Sequence, residues 1–354
     1  MPDETIADFV AAELHKIAQP VRFGGLGFEI DTAHEVALEI GRACGSSAWV
    51  VVLLALHNWM VGLFPEPAQK EYWANSQDVL AASASAVISS RIEQVPGGLR
   101  ISGRWGFSSG VDFADWLIIM IPGSGFSGFL LIPKVHYRVV DDWYVAGLRG
   151  SGSKAVVIDD AFVPHDHVVP GELLMSGRTA GRELYGTPFY KLPVFTWFGW
   201  NLAAPLIGMA QGVVDLFEER TRGKVNTQTG ERAIERPANQ LRLAEASAEV
   251  DAARMIMLRN LRQLAEWGEA GVEIPLVERA RVRRDIAYTV KLSVQAANRL
   301  YDASGAHAIY DSSPVQRMVR DISVVAHHVA LTWDEPAEAY ARVRWGLSPN
   351  TFQI

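Results

Sequence analysis

The hydrophobic pattern changes its period twice along this chain, and few folds accommodate both changes. Up to about residue 76, apolar residues recur every three or four positions, the spacing of helices that bury one face. Between about Val79 and Val169 the pattern switches to short alternating runs separated by Gly, Pro and Ser. Gly98-Leu-Arg-Ile-Ser102, Trp116-Leu-Ile-Ile-Met-Ile121 and Gly128-Phe-Leu-Leu-Ile-Pro133 are such runs. The helical period then returns and predicts long helices over 197–222, 236–267, 275–302 and 314–346. Residues 171–196 are irregular and rich in Gly, Tyr and Pro, which predicts a lid loop. The order predicts an α+β fold. Its parts are an N-terminal α-helical domain over 1–76, a middle β-barrel or sandwich over 77–172, and a lid loop with a C-terminal four-helix bundle over 173–354.

The most apolar run, 48–64, is interrupted by His57-Asn58 and is too short for a comfortable membrane span, so it predicts a buried helix. With 354 residues, 49% of them hydrophobic and 21% charged, the composition is that of a soluble globular protein with a large core. A net charge of −7 offers no basic surface to nucleic acid. The opening Met1-Pro-Asp-Glu-Thr5 lacks a basic region before an apolar core, so no signal peptide is expected. A single cysteine, Cys44, leaves no internal disulfide and suits a reducing cytoplasm.

Within the β region, Gly103-Arg-Trp-Gly-Phe-Ser-Ser-Gly110 reads as a strand that stops abruptly. Trp105 and Phe107 alternate with Arg104 and Gly106, so the two rings should share one face. Ser108 and Ser109 place hydroxyls and free N–H groups at the strand end, and Gly110 lets the backbone turn or approach a flat partner. Such an end is either an ordinary Ser-Gly turn or the edge of a site for a ring system walled by Trp105 and Phe107. Gly123-Ser-Gly-Phe-Ser-Gly128 matches G-x-G-x-x-G, but a strand follows it where a dinucleotide site needs a helix, so a hairpin turn is expected. His165-Asp-His167 has no second ligand cluster, so no metal site is expected. His15, His34, His136 and His307 are isolated and read as structural or surface residues.

Two further stretches, Gly147-Leu-Arg-Gly-Ser-Gly-Ser153 and Val156-Val-Ile-Asp-Asp-Ala-Phe-Val-Pro164, follow the first in order. Together and at this separation they resemble the middle β-domain of the acyl-CoA dehydrogenase superfamily. Arg22-Phe-Gly-Gly-Leu-Gly27 resembles that family's Gly-rich link, and Arg320-Asp321 its anchor before the last helix. The resemblance runs from about Gly24 to the C-terminus. It implies a flavin protein with Trp105, Phe107, Ser108 and Ser109 at the flavin ring and the Ser108 hydroxyl near N5. It further implies that Arg220 or Arg222 reaches the flavin phosphate of a neighbouring subunit in a homotetramer. The alternative for these cations is neutralising a helix C-terminus.

In many members of the superfamily a catalytic glutamate follows the anchor aspartate by about two turns. Val329 stands there, and a valine cannot abstract a proton. Glu245 and Glu249, on an earlier helix, are the remaining candidates. His328 stands one residue before. Together with His57 it resembles the flavin-dependent monooxygenase branch, in which a histidine on the last helix faces the flavin and another on the early buried helix faces the substrate. The same branch implies a substrate-contacting serine at Ser83 or Ser85, and Trp197 and Trp200 near the expected lid are further substrate candidates. On one helix His327 would point about 100° away from His328, so the two should not be equivalent.

This branch implies the oxygenase component of a two-component aromatic hydroxylase. Reduced FMN or FAD would come from a separate flavin reductase, and O2 would react through a C4a-hydroperoxide to hydroxylate a small aromatic or heteroaromatic substrate. The alternatives are an acyl-CoA dehydrogenase-like flavin oxidoreductase and a catalytically idle scaffold of the same fold.

Overall fold

A computed structural model of the chain describes residues 1–121, 127–225 and 228–351. The N-terminal layer comprises α1 (Asp3–Ala11), α2 (Ile30–Gly41), α3 (Gly45–Val61) and α4 (Glu66–Tyr72). α3 is apolar on every side, and all of its residues except Ser47 are buried.

The strands follow as β1 (Ala81–Ala84), β2 (Ala86–Val95), β3 (Gly98–Ser108), β4 (Trp116–Ile121), β5 (Gly128–Pro133), β6 (Tyr137–Val140), β7 (Lys154–Pro164) and β8 (Val168–Pro170). Among the described residues they form two four-stranded sheets, ordered β1-β4-β5-β8 and β2-β3-β7-β6. The sheets face each other as an open sandwich and do not close into a barrel. Alternate side chains fill the space between them, including Ala82, Leu117 and Leu130 from one sheet and Ile101 and Val156 from the other. The opposite face of the first sheet, with Ala81, Ile118, Phe129 and Leu131, joins the helical core instead. Period two puts Ser83 on this second face, turned toward α3.

The C-terminal helices are α5 (Gly171–Ser176), α6 (Ala180–Leu184), α7 (Val194–Trp197), α8 (Trp200–Arg222), α9 (Pro237–Ala270), α10 (Leu276–Ala303), α11 (Pro314–Ala326) and α12 (Asp334–Arg344). α2 crosses α8 closely: a Cβ at Gly208 would come within 2.2 Å of the Leu38 carbonyl oxygen. Beside that crossing His34 donates from Nε2 to Asn201 Oδ1 at 3.0 Å, which makes it a structural residue.

Two expectations are corrected here. Residues 171–196 are not irregular. They fold as short helices and turns whose Phe189, Tyr190 and Leu192 are buried. Tyr190 stacks on Trp59 at 4.7 Å and donates its hydroxyl to the Trp59 carbonyl at 2.9 Å. These pieces are too short to display a helical period. The expected helix over 314–346 is also broken: α11 stops at Ala326 and α12 starts at Asp334. Pro336 is tolerated in the first turn of α12, whereas inside one continuous helix it would remove a hydrogen bond and clash with the preceding turn.

β4 and β5 pair antiparallel as far as Ile121 and Gly128, and the turn expected at 123–128 falls mostly outside the described residues. His165–His167 forms a 3-10 turn. His167 is buried there, with one ring nitrogen 3.1 Å from the Leu131 carbonyl and the other 3.2 Å from the Glu71 carboxylate. Among the described residues no cluster could hold a metal ion, and no helix is long and apolar enough to cross a membrane.

Candidate active site

α3 is the spine of the site. Trp49, Leu53 and His57 sit at i, i+4 and i+8 and share one face, with Trp49 and His57 about 12 Å apart along the axis. Each end of this face engages a different layer.

At the His57 end, Nδ1 lies 2.7 Å from the Ala81 carbonyl and Nε2 lies 2.8 Å from the Ser83 hydroxyl. A carbonyl only accepts, so Nδ1 carries the proton. Nε2 is then bare and accepts the Ser83 O–H. Burial pulls the His57 pKa down to about 4 against the raising effect of the Ala81 bond, so the ring is neutral at pH 7. Ser85, the other candidate, is exposed. The structure therefore brings Ser83, and not Ser85, to His57.

At the Trp49 end, the indole N–H donates to Ser109 Oγ at 2.9 Å. A chain of hydroxyls continues from Ser109 to Ser153 at 2.7 Å and from Ser153 to Ser151 at 2.7 Å. Ser151 donates to the Leu148 carbonyl at 2.8 Å, and the Leu148 N–H donates to Asp321 Oδ1 at 2.6 Å. This chain ties α3 to α11 through the loop at 147–153. It also gives the Arg320-Asp321 anchor a physical meaning: the aspartate holds the loop that holds Ser109.

His328 packs beside Trp49, with ring centroids 6.2 Å apart. It lies in the turn after α11 rather than on a helix. Its Nδ1 accepts the Ala330 N–H at 3.1 Å, so its own proton sits on Nε2. Burial first, and the charge of Arg283 second, lower its pKa to about 4. His327 is exposed and bonds the Ser323 carbonyl at 2.7 Å. The two histidines are inequivalent, through the break in the helix rather than through helix pitch.

Ser108 is fully buried, and its hydroxyl has no partner among the described residues. Leaving a buried hydroxyl unpaired costs roughly 1–3 kcal/mol, so a polar group from a ligand would be stabilising there. Next to it Gly110 takes a left-handed φ of 72° and donates its N–H to the Ser151 carbonyl at 2.9 Å. An orphaned hydroxyl at a tight turn, next in sequence to the Ser109 that Trp49 holds, fits the hydrogen-bonding edge of a flavin ring.

The expected ring walls are placed differently. Trp105 is fully enclosed between the two sheets. Phe107 is 65% exposed at φ 60°, a backbone region that bulky residues rarely enter, and its ring meets Trp143 edge-on at 5.9 Å. The β3–β7 register shifts between Trp105 and Ser108. This bulge breaks the alternation, throws Phe107 outward and turns Ser108 inward.

Residues 200–333 match the family described as acyl-CoA dehydrogenase, C-terminal domain. Over 99% of its length the chain is 33% identical to the FADH(2)-dependent resorcinol hydroxylase, oxygenase component, of Rhizobium sp. (strain MTP-10005), covering 89% of that protein. The chain belongs to the flavin-dependent monooxygenase oxygenase components. Its fold is that of the HsaA monooxygenase of M. tuberculosis, with a TM-score of 0.93 at 31% identity, covering all of this chain and 92% of that one. XiaF from Streptomyces sp., solved with FADH2 and glycerol, superposes with a TM-score of 0.92 at 26% identity, over 99% of this chain and 90% of that one.

Within this family's frame the remaining candidates divide. Arg220 lines an open cavity of about 790 Å3 together with Lys224, Asn239, His307 and Ser313, and donates to Ser313 Oγ at 3.1 Å. Arg222 does not line it; exposed, it pairs with Glu218 one turn back. Trp197 and Trp200 are fully buried, and Trp197 packs edge-on against Trp59 at 4.8 Å and Phe189 at 5.1 Å. Glu245 and Glu249 are both held by Arg299, at 2.8 and 2.6 Å, and Val329 is exposed. Trp49, Ser151, Ser153 and Arg283 escaped the sequence reading. The i, i+8 spacing of Trp49 and His57 was a usable signal, whereas Arg283 is hidden in the charge run 278–285, which looks like a solvated face.

Proposed function

We propose that this chain hydroxylates a small phenol, using dioxygen and reduced FAD received from a separate reductase. The observation that carries this reading is the Ser83–His57–Ala81 relay, whose His57 shares one face of α3 with Trp49, the donor to Ser109. Bound at Ser108, reduced flavin supplies the electrons that activate dioxygen. The chain's own groups do the rest. Ser83 takes the hydrogen bond of the phenol hydroxyl and passes proton density to the bare Nε2 of His57. Ionising the phenol raises a negative partner that stabilises the imidazolium and offsets its desolvation. His328 offers an Nε2–H donor beside Trp49, at the opposite end of the α3 face from His57. The buried surroundings of the His57 ring exclude water there.

A phenol is favoured because the relay needs an acidic hydroxyl, and the resorcinol hydroxylase relative acts on such a compound. FAD is favoured over FMN by the Arg220 cavity, whose cations suit a pyrophosphate. Arg220 is assigned to the flavin phosphate of a neighbouring copy, as the resemblance to the superfamily implies, and its guanidinium fork suits a phosphate. Assembly as a homotetramer is supported by Leu241 and Met255, 65% and 63% exposed four turns apart on α9. A cytoplasmic setting supplies the reduced flavin.

Anaerobic titration tests this reading. A colourless protein that binds reduced FAD more tightly than oxidised FAD supports it. A yellow protein reduced by an acyl-CoA would point to a dehydrogenase, and no binding of either form to an idle scaffold. Light scattering is expected to give a tetramer; a fully active monomer would remove the intersubunit role of Arg220.

A further inference from the structure

Arg283 is a buried cation on α10, 5% exposed. Its Nη1 donates to the Ala330 carbonyl at 3.3 Å. The N–H of the same residue, Ala330, donates to His328 Nδ1 at 3.1 Å. The His328 carbonyl in turn accepts the Leu331 N–H at 2.8 Å, which closes the turn. The space for the guanidinium is left by Gly199 at the N-terminus of α8: a Cβ there would come 3.3 Å from Nη1.

We propose that Arg283 is a positioning residue, which fixes the turn after α11 through the Ala330 carbonyl so that the Ala330 N–H locks His328 as the Nε2–H tautomer. The proposal rests on the reading of His328 as a donor toward the flavin site. A histidine with two free ring nitrogens exchanges between tautomers and offers a donor only part of the time. Here a backbone N–H occupies Nδ1, so Nε2 is always the donor. The guanidinium charge works in the same direction, because it disfavours a second proton on the ring and so preserves the acceptor character of Nδ1. Arg283 need not touch substrate or flavin to do this.

The test is the tautomer itself, read by nitrogen NMR on histidine-labelled protein without flavin, with His328 assigned from the signal lost in His328→Asn. The wild type is expected to show a protonated Nε2 and a bare Nδ1. Arg283→Met should lose this single signature and give a mixture of tautomers. Arg283→Lys, which keeps charge and a donor, should restore it. With reduced flavin and a phenol, Arg283→Met should raise hydrogen peroxide released per flavin oxidised several-fold, and Arg283→Lys much less. A wild-type ring protonated on Nδ1 would overturn the proposal without any variant. So would an Arg283→Met protein with an unchanged spectrum while His328→Asn still uncouples. If His328→Asn itself hydroxylates normally, the reading of the site fails, and the proposal with it.

Discussion

The two ends of the α3 face hold the same side chain in opposite states of readiness. His57 meets a backbone carbonyl through Nδ1 and is left with a bare Nε2. His328 meets a backbone N–H through Nδ1 and is left with an Nε2–H. Burial lowers both to a pKa of about 4, so neither is a cation at pH 7. One is an acceptor and the other a donor, and the choice is made by a main-chain group rather than by charge. Pre-set donors and acceptors in a dry site need no reorganisation when charge develops, which is where such sites gain most of their effect.

Removing the acceptor should produce the largest effect. His57→Asn is expected to lower hydroxylation of a phenol about 10²-fold or more, the usual loss on deleting a positioned base, while flavin oxidation continues. Ser83→Ala should fall the same way but less far. A His57→Asn protein with normal product yield would make the relay a structural feature. Removing the donor should act differently. His328→Asn should lower product yield about tenfold and raise hydrogen peroxide in proportion, whereas His327→Asn, at an exposed ring, should do little. If only His327 matters, the turn after α11 is not where the donor stands.

A smaller effect is expected at Ser108. Its Ala variant loses one hydrogen bond of about 1 kcal/mol, so coupling should change by roughly fivefold with the fold intact. Unchanged coupling would leave Ser108 a turn residue. The smallest effect concerns pH. His34, His57 and His328 all have pKa values lowered from 6.5 to about 4 by burial. The unfolded chain therefore binds more protons between these values. Their contribution to stability is complete above about 6.5 and is lost as pH falls toward 4. Thermal melts should show a midpoint that drops over this window, with a shallower drop in His34→Gln; a flat profile would mean the rings are not buried neutral.

Much of this was legible in the sequence, for identifiable reasons. The period changes mark the three layers, because packing an amphipathic helix or a half-buried strand requires those periods. His57 and Ser83 were legible as types in place, but Ser83 and Ser85 share a strand parity, and only the end of β1 at Ala84, which leaves Ser85 exposed outside the strand, decides between them. Phe107 was misplaced because a bulge cannot be read from alternation that continues through it. The break before Pro336 was readable and was overridden by the length of the apolar pattern on either side. Arg283 was invisible because a charge run in sequence reads as a solvated face, whereas the fold buries Arg283 and Asp285 within it.

The central claim is that this chain transfers one atom of dioxygen to an aromatic ring. Isotope labelling tests it most directly: anaerobic protein with reduced FAD and resorcinol is mixed with heavy dioxygen, and the product is examined by mass spectrometry. The account predicts a hydroxylated product carrying one heavy oxygen atom in its new hydroxyl. A product whose new oxygen comes from water, or flavin that oxidises with all dioxygen recovered as hydrogen peroxide for every phenol offered, would contradict it.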